Sequence, residues 1–131
     1  MNADPPPGVN KMVNAGLTDR LIFKALRPAE CAELVQASVF KGSQVDIQDS
    51  FIHFSTYEQL PETLAKHFSN EAPLWLAAVD STALGESLRW ETSRGGQLFP
   101  HLHAGLRPEQ VAWMIPLSLG PDGRHLLPEP E

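Results

Sequence analysis

Apolar and polar residues alternate over Phe51-Ile52-His53-Phe54-Ser55, the period of a strand with one face buried. The alternation puts Phe51, His53 and Ser55 on one face and Ile52 and Phe54 on the other. Ser55-Thr56 then opens a helical pattern, with Gln59 at capping-box spacing from Thr56. The strand thus delivers an imidazole and a hydroxyl to a strand-to-helix corner, a place where small ligands are often held.

The same pattern predicts the elements around it. Leu21 to Leu26 reads as a short strand, and Pro28 opens a helix to Ala37 with Cys31, Leu34 and Val35 on one face. Gly42-Ser43 and Asp46 to Ser50 read as turns. Leu60, Leu64 and Phe68 recur every fourth position and predict a second helix over 56–68. Pro61 gives an equal alternative, a first turn ending near Leu60 and a helix proper from Pro61. Leu74 to Val79 is apolar on both faces, as a fully buried strand requires. Leu88 to Glu91 is a further strand and Gly95-Gly96 a turn. Leu98 to His103 is extended, with Pro100 predicting an edge strand or a loop. Val111 to Leu119 is the last long strand, with Pro116 at an edge. Two main helices and about six strands make the fold class α+β. Residues 1–19, with Pro5-Pro6-Pro7-Gly8, show no sustained period and read as a disordered or loosely docked arm. Residues 20–131 read as a single domain.

Charge narrows the partners. A net charge of -6, with ten Lys and Arg scattered along 131 residues, argues against nucleic acid or an anionic membrane as partner. No apolar run approaches a membrane span, and no signal core stands at the N-terminus. The lone Cys31 excludes an internal disulfide, so the reading is cytoplasmic. Oligomeric state stays open.

Asp46, Phe51 to Thr56, Gln59-Leu60, His67-Phe68, Trp90-Glu91, Gly95-Gly96 and Phe99-Pro100-His101 together resemble a family of small bacterial and plant proteins, domain-of-unknown-function family nine-five-two. The likeness runs from about Leu21 to Leu127. Two positions depart from it: Ser50 stands where a Gly is expected, and His103 where an aromatic, usually Tyr, is expected. The resemblance implies a minimal ADP-ribosyltransferase-like fold, a split mixed or antiparallel sheet around an NAD-binding cleft. Under that implication Glu91 holds a ribose hydroxyl, His53 orients the ligand and Ser55-Thr56 is the hydroxyl-rich motif. Phe54 or Trp90 forms the nicotinamide wall, and His101 lines the mouth. Lys24-Ala25, however, stands where one large branch of these transferases carries His-Gly.

Two other readings come from the residues themselves. His101-Leu102-His103 projects both imidazoles to one side of an extended chain, which suits a metal-dependent enzyme. The polar residues can instead be structural, in a non-catalytic interaction protein. His53 is then a hydrogen-bonded core histidine, Ser55 and Thr56 form a cap, Glu91 pairs with Arg89, Arg94 or Lys24, and Trp75, Trp90 and Trp113 fill the core. His53, Ser55, Glu91, His101 and His103 all sit in otherwise apolar strands. Solitary burial of each is costly, so a shared cleft holding a small molecule or nucleotide, with NAD leading, is the preferred account.

Overall fold

The computed structural model describes residues 20–129, and the arm expected over 1–19 lies outside the described residues. In order come β1 (Leu21–Leu26), α1 (Pro28–Gln36), α2 (Gln44–Asp49), β2 (Ile52–His53), α3 (Leu60–His67), β3 (Leu74–Asp80), β4 (Leu88–Thr92), β5 (Leu98–Leu102), β6 (Val111–Leu119) and β7 (His125–Leu126). The strands form a four-stranded sheet in the order β1-β3-β6-β7 and a three-stranded sheet in the order β2-β5-β4. Each of these pairings is antiparallel, so the fold is α+β with antiparallel sheets.

The two sheets part at one point, and Pro100 explains why. His53 lies opposite His101 on β5, and Phe54 N–H still donates to the Pro100 carbonyl at 3.0 Å. The reciprocal bond needs an N–H that proline lacks. The β2–β5 ladder therefore stops, and the next residue crosses to the other sheet. Ser55 and Phe23 exchange both backbone bonds, each at 2.8 Å.

Two apolar cores lie on opposite faces of the four-stranded sheet. Phe23, Leu74, Leu76 and Ala78 pack with Leu60 and Leu64 of α3. Ile22, Leu26, Ala77 and Val79 pack with Leu34 of α1 and with Ile52, Phe54 and Leu102 of the smaller sheet. β3 thus supplies apolar side chains to both, as its double-faced pattern predicts.

Several expectations are corrected. Asp46 to Ser50 is mostly helix, because Ser43 caps α2 and makes a reciprocal box with Asp46. Pro100 lies in the middle strand of the smaller sheet and not at an edge, since its missing donor falls where that ladder ends. Val35 is 60% exposed and does not share the buried side of α1 with Leu34. Trp90 is 47% exposed and so is not core. Of the two readings of 56–68, the structure takes the one with a separate first turn: Thr56 and Gln59 form the predicted reciprocal box (3.0 and 3.2 Å), and the helix runs Leu60–His67. No helix among the described residues is long and apolar enough to cross a membrane.

Candidate functional site

The site begins with α2. Its helical turn folds Asp46 back toward the strand seven residues later, and the residue is 2% exposed. Oδ1 accepts from His53 N–H at 3.2 Å and from His53 Nδ1 at 2.7 Å. Oδ2 accepts from Ser43 N–H at 2.9 Å and lies 2.8 Å from Lys24 Nζ. Burial alone would raise the Asp46 carboxyl. The His53 hydrogen bond, the Lys24 charge and the Ser43 amide outweigh it and hold the carboxyl down at about 2. An ionised carboxylate only accepts, so His53 carries a proton on Nδ1. Lys24 also donates to the His53 carbonyl at 3.0 Å, which ties β1 to β2 across the parting of the sheets. His53 Nε2 is 3.1 Å from Asp49 Oδ2, so both ring nitrogens face carboxylates.

Backbone conformation makes room for this arrangement. A Cβ on Gly42, at φ +106°, would stand 2.4 Å from the Asp46 Cβ. Ser50 closes α2 in the left-handed region at φ 73°, which is the conformation a glycine there would adopt without strain.

The second cluster is built on β4 and β5. Glu91 Oε1 meets His101 Nδ1 at 2.7 Å and His103 Nε2 at 3.0 Å. The hydrogen bond from His103, then that from His101, holds the Glu91 carboxyl below its usual value. An ionised carboxylate only accepts, so both ring nitrogens donate to it. Phe51 stacks on His101 with ring centroids 4.2 Å apart, and it lies 4.6 Å from His53 and 5.1 Å from His103. The face predicted for Phe51 and His53 is thus the one that meets the second cluster.

A cleft of about 560 Å³ opens where the sheets part, lined in part by Lys24, Asp46, His53, Ser55 and His101 over Phe23 and Phe54. Of the residues expected at the site, His53, Phe54, Ser55 and His101 line it, whereas Thr56, Trp90, Glu91 and His103 do not. Thr56 is occupied in its turn with Gln59. Trp90 lies opposite Pro100, on the face of the smaller sheet away from Glu91. Glu91 reaches the cleft through His101, and among the described residues its partners are the imidazoles of His101 and His103 and not Arg89 or Lys24. His103 shares that carboxylate. Among the described residues no group of three or more His, Cys, Asp or Glu side chains is disposed to hold a metal ion.

Sequence reasoning missed Lys24, Asp46 and Asp49 as site residues, together with Arg27 and Lys66 on the cleft wall. One signal was present: Ser43 and Asp46 have capping-box spacing, which marks a helix start where turns were read.

Over residues 25–114 the chain matches the family described as "Protein of unknown function (DUF952)". It is similar to the crystal structure of protein CC0527 from Caulobacter crescentus, with 45% identity and a TM-score of 0.77, covering 81% of this chain and 93% of that one. The solution NMR structure of CC0527 from the same organism gives 46% identity, a TM-score of 0.73, and coverage of 80% and 90%. No curated protein matches the chain.

Proposed function

Because the chain belongs to the DUF952 family of unknown function, we propose its role from the cleft: it binds a small polar ligand of the nucleotide class, with NAD first among the candidates. The observation that carries this reading is the convergence of His53, Ser55, His101 and Lys24 on one hollow of about 560 Å³ with an apolar floor. That volume, with polar and charged side chains set around aromatic carbon, suits a site for a small polar molecule. NAD leads because the antiparallel sheet divides beside Ser55, the arrangement that the ADP-ribosyltransferase-like resemblance implies. In this reading His101 hydrogen-bonds the ligand, His53 is held in the wall by Asp46 and Asp49, Phe54 forms part of the floor, and Glu91 acts through His101.

The test is a thermal shift with NAD, ADP-ribose and nicotinamide. A ligand at a hundred times its Kd stabilises by about 2.7 kcal/mol, which is a rise in Tm of about 10 °C for a domain of this size. Nicotinamide release from NAD in the same samples would extend the reading to catalysis. Unchanged melting with all three compounds would reject it.

A second reading has its own observation. Asp46 is satisfied by Lys24, His53 and Ser43 without any ligand, as a purely structural polar cluster in an interaction protein requires. Silence of the cleft toward all three compounds is the result that reading expects.

A further inference from the structure

The two cleft histidines are not equivalent. His53 has both ring nitrogens facing carboxylates, Asp46 at 2.7 Å and Asp49 at 3.1 Å. His101 spends only Nδ1, on Glu91. Its Nε2 makes no hydrogen bond among the described residues, yet it is not one of their buried atoms left without a partner. A residue that is 4% exposed, lines the cleft and keeps an accessible free nitrogen presents that nitrogen to the cleft.

We propose that His101 is the proton acceptor of this cleft, that Glu91 is its positioning residue, and that the ligand presents a hydroxyl to Nε2. The chemistry follows from the fixed tautomer. Glu91 is ionised and accepts from Nδ1–H, so the neutral ring keeps its lone pair on Nε2. Phe51, stacked on the ring at 4.2 Å, limits its tilt. When a ligand hydroxyl reaches Nε2, its O–H bond breaks as the N–H bond forms, and the electron pair stays on the ligand oxygen. The imidazolium produced is balanced by Glu91 across the ring. His103 uses Nε2 on the same carboxylate oxygen, so its neutral ring takes the opposite tautomer. Its lone pair lies on Nδ1, and His103 does not line the cleft.

This inference rests on the ligand-binding reading of the cleft, and one experiment separates the two. The full chain, with ¹⁵N-labelled histidine, is examined by long-range ¹H–¹⁵N correlation with and without ADP-ribose, alongside a thermal shift on the same samples. The expected result is an Nδ1–H tautomer for His101 and an Nε2–H tautomer for His103 in the free protein. ADP-ribose should then move the His101 Nε2 resonance toward that of a hydrogen-bonded nitrogen and leave His103 in place. An Nε2–H ring or an even mixture at His101 overturns the proposal whatever binds. A thermal shift with an unmoved His101 Nε2 overturns it while the cleft reading survives. No shift with ADP-ribose, NAD or nicotinamide ends both. For the positioning role, Glu91→Gln should loosen the tautomer and weaken ADP-ribose binding by about three- to tenfold, the worth of one hydrogen bond. Unchanged affinity and tautomer in that variant would remove Glu91 from the account.

Discussion

Replacing Asp46 with Asn tests the group on which the first cluster is built. The substitution keeps the shape and one acceptor oxygen but removes the charge. It also turns an amide N–H₂ toward either Lys24 and the Ser43 amide or the two His53 donors. Two estimates bracket the cost. The carboxyl titrates at about 2 when folded against 3.8 ordinarily, and at about 1.4 kcal/mol per unit that difference is roughly 2 kcal/mol of stability. Removing one member of a buried ion pair costs about 3–5 kcal/mol, because the partner is left uncompensated. Lys24 keeps the His53 carbonyl as an acceptor, so a value near 3 kcal/mol is expected, or about 12 °C in Tm. The sign with pH is fixed. A carboxylate whose folded value is depressed stabilises fully above about pH 4 and loses that contribution as pH falls through about 2. Urea unfolding of wild type and variant at several pH values should therefore show a constant gap from neutrality to about pH 4 that narrows below it. A gap under about 1 kcal/mol at pH 7, or one that widens in acid, would refute the reasoning.

The backbone around α2 gives further expectations. Ser50→Gly relieves a left-handed residue at φ 73° and should stabilise by about 1 kcal/mol in the same unfolding assay. Gly42→Ala should destabilise by about 3 kcal/mol, since it drives a methyl to within 2.4 Å of Asp46 at positive φ; a neutral result would mean that Asp46 does not sit where it is placed. Trp90→Ser should leave ADP-ribose affinity unchanged by calorimetry, because Trp90 does not line the cleft.

The strands were legible because their patterns are unusual. Leu74 to Val79 is apolar on both faces and is buried on both. Leu21 to Leu26 reads as a strand, and its one polar interruption, Lys24, marks the site. The alternation in Phe51 to Ser55 correctly places Phe51, His53 and Ser55 together, although only Ile52 and His53 are ladder residues. What could not be read depends on folding across sequence distance. α2 has six residues of turn-like composition, too few for a helical period to show. The centrality of Pro100 was hidden because rules for proline in sheets assume a ladder that continues on both sides. The sequence puts the Glu91 carboxylate near two histidines without saying which of them faces the cleft, and the structure sets it behind His101. Trp90 looked like core or like a ligand wall, but it lies on the face of β4 away from Glu91.

Amide chemical-shift mapping of ¹⁵N-labelled protein during addition of ADP-ribose tests the central claim most directly. The account predicts perturbations concentrated at Lys24, His53, Ser55 and His101, on both sides of the parting between the sheets. Shifts confined to other surfaces such as the edge around Trp90, or a spectrum that does not change at saturating ligand, would contradict it.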